Sequence, residues 1–120
     1  MIATLECVVL DCPEPKELAE FYAGIIGGKV SWEDDDDSWV TLSAQGGTVL
    51  AFQKAPELQR AKWPDPERPQ QFHLDLQVDD LEAAQAHVLG LGAELLDDKS
   101  SKTFRVYEDP AGHPFCLCVS

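Results

Sequence analysis

Basic residues are scarce in this chain. Nine Lys and Arg stand against 22 Asp and Glu, a formal net charge of −13. Binding to nucleic acid or to an anionic membrane surface needs clustered Lys and Arg, so both partners are excluded. Long apolar runs are missing too, and nothing approaches the roughly 18 residues that a membrane helix needs. The N-terminus carries no positively charged segment, and Glu6 interrupts its only short apolar run, so no secretory leader is expected. The expected compartment is the cytoplasm, where Cys7, Cys12, Cys116 and Cys118 stay reduced. Most of the acidic excess reads as a solvated surface, and it permits a cationic ligand.

What the chain has is enough for one domain. Its 120 residues, 44% of them apolar, can bury a core without disulfide staples. It also repeats itself. Residues 5–11 read LECVVLD and residues 73–79 read HLDLQVD, each alternating with period two and ending in Asp. Each runs into a helical stretch closed by glycine, at Gly27-Gly28 and at Gly92, and a new strand opens after each helix. In this alignment His73 faces Leu5. One copy has a chemically competent side chain there, the other a plain hydrophobe.

The first helix should start near Pro15, with Leu18, Phe21, Tyr22 and Ile25 on its buried face. The second should run from the cap Asp80 to about Leu91. Strands are expected near residues 3–10, 29–33, 38–43, 48–53, 71–78, 93–97, 103–108 and 114–119. Pro56, Pro64, Pro66 and Pro69 mark an irregular linker. The fold class is therefore α+β: two tandem βαβββ modules, at about 1–54 and 71–120, joined by a linker at about 55–70. The helices should pack outside a cup-shaped mixed sheet.

Certain stretches carry a family resemblance: Phe21-Tyr22 before Gly27-Gly28, FHLDLQVDDLEAAQAHVLGLGA, FRVYEDPAGHPFCL and Trp63-Pro64-Asp65-Pro66. Together they resemble the vicinal oxygen chelate superfamily of glyoxalases, bleomycin-resistance proteins and extradiol dioxygenases. They are especially similar to its small actinobacterial glyoxalase-like domain proteins. The resemblance implies a single glyoxalase-like domain over residues 1–120. In metal-dependent relatives, four His, Glu or Gln side chains from equivalent strands of the two modules hold a divalent ion. The matching positions here are Leu5, Ala51 (or Gln53), His73 and Cys116, of which only His73 fits. The usual metal site is therefore expected to be missing, with no cofactor.

Strand alternation gives an independent list of cup-facing residues. Phe72, Leu74, Leu76 and Val78 should pack on the helices, which turns His73, Asp75 and Gln77 into the cup. Phe115, Leu117 and Val119 likewise leave Cys116 and Cys118 facing it. Leu5, Cys7, Val9, Trp39, Thr41, Arg105 and Tyr107 are assigned to the same lining. The expected ligand contacts are Trp39, His73, Asp75, Arg105, Tyr107 and Cys116, a mixed set suited to an organic molecule with polar handles.

His73 is the catalytic candidate, as a base or hydrogen-bond donor near neutral pH, with Asp75 or Arg105 as partner. It can equally be a structural residue. Cys7, Cys116, Cys118 and His73 offer soft-metal ligands, although buried cysteines usually only pack. His87 reads as surface, and His113 as structural or exposed. Trp63 covers a cavity, a core or a neighbouring subunit, and Asp34–Asp37 is a solvated loop or a cation-attracting rim. The expected function is a small-organic-molecule binding protein of the glyoxalase/bleomycin-resistance type, with a cationic or aromatic ligand and a homodimeric assembly. The alternative is a metal-dependent lyase, isomerase or dioxygenase, so enzymatic activity stays open.

Overall fold

The computed structural model describes residues 2, 4–44, 46–58, 60, 64, 67 and 72–119. The chain divides into two compact units, Met1–Leu58 and Gln59–Ser120. The first holds β1 (Val8–Cys12), α1 (Pro15–Ile26), β2 (Lys29–Ser31), β3 (Trp39–Ser43) and β4 (Leu50–Lys54). The second holds β5 (Leu74–Gln77), α2 (Leu81–Gly90), β6 (Glu94–Asp97), β7 (Phe104–Glu108) and β8 (Pro114–Cys118). Each is βαβββ, and the class is α+β as expected.

The two sheets share one topology, β1-β4-β3-β2 and β5-β8-β7-β6. In each, the first strand pairs in parallel with the last, and the remaining pairs are antiparallel. No described helix is long and apolar enough to cross a membrane.

Helix α1 begins where the sequence places it. Pro15 sits in the first turn, where its missing N–H costs nothing, and Pro15, Leu18, Ala19, Phe21 and Tyr22 are buried. The Tyr22 ring stacks on Phe52 of β4 at 6.0 Å and meets Phe21 edge-on at 5.0 Å. Gly27 ends the helix and Gly28 carries the chain into β2 with φ of 101°. A Cβ on Gly28 would stand 2.5 Å from the Ser43 carbonyl oxygen, so this crossing accepts only glycine.

Helix α2 is built differently. The Asp80 carboxylate accepts from the N–H groups of Glu82 at 2.9 Å and Ala83 at 3.3 Å, a full N-cap. Val88 is the one fully buried residue in the helix. The helix packs on the sheet side that carries buried Tyr107, Phe115 and Leu117, and polar contacts described below add to that packing.

Strand bounds differ from expectation at two places that matter. β1 starts at Val8 rather than near Ala3, because its ladder exists only opposite Leu50–Lys54 of β4. Leu5 is therefore outside the strand and 74% exposed. Likewise β5 begins at Leu74, and His73 stands immediately ahead of it. Ala3, Trp63, Pro66, Pro69 and Gln71 lie outside the described residues, and the expectations placed on Trp63 fall there.

Candidate functional site

The richest chemistry lies in the second unit, on the face of its sheet turned away from α2. Asp75 on β5 stands directly opposite Cys116 on β8, and Cys116 opposite Val106 on β7. Directly paired residues project to the same side, and His73 joins them by alternation, two residues before Asp75. His73 Nε2 lies 3.2 Å from Asp75 Oδ1. The ligand atoms of His73, Asp75 and Cys116 all lie within 4.8 Å of one another. His73 and Asp75 remain open to solvent, while Cys116 is buried beneath them.

The electrostatics of this cluster restrict what it can do. Burial, then the nearby Asp75 carboxylate and Cys118, push the Cys116 thiol up to about 12. Cys118 is raised by the same burial and the same carboxylate. A nucleophilic cysteine needs the opposite environment, one that stabilises thiolate. Moreover, the His73 ring is held by Asp75 instead of by the sulfur. The arrangement is not a cysteine–histidine nucleophile. It is a convergent nitrogen, oxygen and sulfur donor set, able to hold a cation or the polar end of a ligand.

In the first unit the face opposite α1 carries two rows. Trp39, Gln53 and Asp11 are register partners, and so are Thr41, Ala51 and Val9. Trp39 is 40% exposed, while Ala51 is fully buried. Trp39 and Thr41 thus lie on the side that alternation assigned to them.

Arg105 and Tyr107 do not. They are register partners of Leu117 and Phe115, and they share the α2 side with those residues. Tyr107 is fully buried and stacks on Phe115 at 5.5 Å. Its hydroxyl donates to Gln85 Oε1 at 2.8 Å, and Arg105 Nη1 donates to the same oxygen at 3.0 Å. Arg105 Nη2 pairs with Glu82. Burial holds the Tyr107 phenol above its ordinary pKa, and the Glu82 bond raises Arg105 further. The expectation that these two residues line a ligand site on the opposite face is corrected. Both tie α2 to β7, and the signal that reveals it is the Glu82/Gln85 pair one helical turn apart.

The internal alignment also shifts. The helix N-caps Glu14 and Asp80 are 66 residues apart (80 − 14), not 68. With Ala51 and Cys116 as counterparts, the strand registers give the same offset, matching Val9 with Asp75. The counterpart of His73 is therefore Cys7 rather than Leu5. The Asp-ended strings misalign because their Asp residues are not counterparts: Asp11 lies inside β1, whereas Asp79 lies beyond the end of β5, next to the cap Asp80. The four positions that bind metal in relatives now read Cys7, Ala51, His73 and Cys116; the alternative Gln53 pairs with Asp11 and would match Asp11 to Asp75, an offset the helix caps do not share. They do not fit the usual ion: Ala51 offers only a buried methyl, and two of the others offer sulfur where oxygen or nitrogen is usual.

The other candidates resolve simply. The Asp34–Asp37 loop is exposed; Asp36 accepts from Ser38, and Asp37 pairs with Lys54 at 2.9 Å. His113 is half-buried in a turn where its N–H donates to buried Asp109 at 3.0 Å. His87 is exposed, as expected. None of the four cysteines is in a disulfide.

The family model for the glyoxalase-like domain matches residues 7–118. No curated protein matches the chain. Among solved structures, a glyoxalase/bleomycin resistance/dioxygenase family enzyme from Burkholderia phytofirmans PsJN superposes with a TM-score of 0.75 at 16% identity, covering 98% of each chain. The fosfomycin resistance protein FosX from Mesorhizobium loti gives 0.72 at 15% identity, over 98% of this chain and 92% of that one. TnmS3, an antibiotic binding protein from Streptomyces sp. CB03234, gives 0.58 at 18% identity, over 99% and 98%. At such identities these likenesses concern the fold alone.

Proposed function

The chain belongs to the glyoxalase-like domain family, and from that premise we propose that it binds a small organic molecule without the oxygen- and nitrogen-ligated divalent ion usual in the superfamily. The observation that carries this reading is the His73–Asp75 pair, 3.2 Å apart and open to solvent over buried Cys116. A charged, hydrogen-bonding handle on the helix-free face is what an organic ligand with polar groups requires. Ala51 supports the second half of the reading, because a buried methyl cannot ligate a metal. Trp39 offers the first unit's helix-free face an aromatic surface. The net charge of −13 favours a cationic ligand.

His73 is the residue we assign to contact the ligand, as a hydrogen-bond donor or base, with Asp75 orienting its ring. The same reading places the protein in the cytoplasm as a homodimer. Apolar surface left in water at Leu5, Phe72 and Phe104 supports the pairing.

The test is a thermal-shift screen of bleomycin and a panel of cationic and aromatic compounds. A saturable rise in melting temperature that His73→Ala and Asp75→Ala reduce supports the reading. A panel without shifts, or shifts indifferent to both substitutions, overturns it. The alternative of a metal-dependent lyase, isomerase or dioxygenase is favoured by His73 standing at the position of a usual ligand. Turnover strictly requiring added Mg²⁺ or Mn²⁺ would establish it instead.

A further inference from the structure

We propose that His73, Asp75 and Cys116 form a binding site for a thiophilic divalent cation such as Zn²⁺, built entirely within the second unit. The site shares His73 and Asp75 with the ligand-binding reading and adds Cys116, but the cation binding itself does not require an organic ligand.

The argument starts from donor type. Imidazole nitrogen, carboxylate oxygen and thiolate sulfur together suit a borderline-soft ion, whereas Mg²⁺ or Mn²⁺ select oxygen-rich sets. Among the described residues, this is the group whose His, Cys, Asp or Glu ligand atoms converge so closely. A tetrahedral zinc with ordinary bond lengths places its ligand atoms about 3.3–3.7 Å apart. The His73–Asp75 separation is already 3.2 Å, and no ligand pair in the group exceeds 4.8 Å. The ligand atoms thus already stand near the separation that a tetrahedral ion requires.

The backbone supplies the rigidity. Asp75 and Cys116 are direct partners across the parallel β5–β8 ladder, which fixes their Cβ atoms at neighbouring distance. His73 is on the same side at the mouth of β5. Three ligands leave at least one coordination position, on the solvent-open side formed by His73 and Asp75. That is the layout of a site that accepts a further ligand rather than one closed for structure alone.

The set also differs from the superfamily's usual site in its origin. The usual site takes donors from both modules. Here Ala51 removes one first-module position, and Asp75 supplies a carboxylate from the same strand region as His73.

The experiment uses the intact chain, reduced and stripped of metal with a chelator, then titrated with Co²⁺. The expected result is one Co²⁺ per chain, with a near-ultraviolet thiolate-to-cobalt charge-transfer band and tetrahedral visible bands, both bleached by Zn²⁺. Cys116→Ser should abolish the charge-transfer band. His73→Gln and Asp75→Asn should each weaken binding by roughly tenfold or more. Cys7→Ser and Cys118→Ser should leave it intact. Circular dichroism of each variant checks that it is folded. A folded wild-type chain that gives no charge-transfer band overturns the proposal. So does a band that survives Cys116→Ser, or one that depends on Cys7 or Cys118. Because the readout is spectroscopic and needs no organic ligand, its failure is separate from failure of the thermal-shift screen.

Discussion

The Tyr107 hydroxyl donates to Gln85 Oε1, joining β7 to α2 at 2.8 Å. The same oxygen serves Arg105, so one amide fixes the side of the sheet on which two strand residues stand. Tyr107→Phe removes one of the two donors and should cost about 1 kcal/mol, read from urea unfolding. Gln85→Leu removes the shared acceptor, leaves the buried phenol unsatisfied, and should cost more. Equal losses would show that the hydroxyl has another partner.

Tyr107 also sets a pH dependence. Burial raises its folded pKa above the ordinary phenol value of 10.0. Its stabilising contribution is therefore fully present below pH 10.0 and lost as pH climbs through the raised value. Spectrophotometric titration of wild type against Tyr107→Phe isolates this phenol. The difference curve should ionise above pH 10.0, and a midpoint at or below it would contradict the buried geometry.

The two helix starts predict an asymmetry. Asp80 accepts two backbone N–H bonds, whereas the Glu14 side chain makes no cap bond and leaves the task to Pro15. Asp80→Ala should destabilise by about 1 kcal/mol, and Glu14→Ala by only a few tenths. Chemical denaturation of both single variants decides it.

Gly28→Ala should be worse than either. The added Cβ meets the Ser43 carbonyl oxygen at 2.5 Å on a backbone with φ of 101°. Strain of that conformation alone is of order 1–3 kcal/mol, and the contact adds to it. Gly27→Ala also meets a positive φ, 74°, but has open space around it, so it should be the milder change. The urea midpoints of the two variants test that order.

Trp39 supplies a functional contrast. It is 40% exposed on the helix-free face, so Trp39→Ala should change the melting temperature little. If the face binds aromatic compounds, the same substitution should shrink their stabilising shift. A variant that loses stability while keeping its ligand response would make Trp39 a packing residue.

Much of this architecture is legible in the sequence, because period-two strings, Pro15, Asp80 and the closing glycines each act locally. The pairing of His73, Asp75 and Cys116 on one side also follows from alternation, since Leu74, Leu76, Phe115 and Leu117 claim the other. Alternation does not say which side of β7 is which. Phe104 and Val106 are apolar and read as the packed set, yet cross-strand register with Phe115 and Leu117 put Arg105 and Tyr107 under α2. Their polar ends are satisfied there by Gln85 and Glu82, partners on a different element that no strand pattern announces. The offset between copies was hidden for a related reason. Anchoring on Asp11 and Asp79 shifts the copies by two residues, which keeps the period-two parity, so the strings align convincingly in the wrong register.

The pairing of first strand with last has a consequence for how the chain is made. Val8 must wait for Leu50, 42 residues later (50 − 8), and Leu74 for Phe115, 41 later (115 − 74). The antiparallel β3–β4 and β7–β8 pairs close over far shorter loops and can form first. During synthesis the leading strand of each unit therefore emerges early and docks last. Once Lys54 has left the ribosome the first sheet has all four of its strands, before any strand of the second has emerged, so the two sheets become available for pairing one after the other.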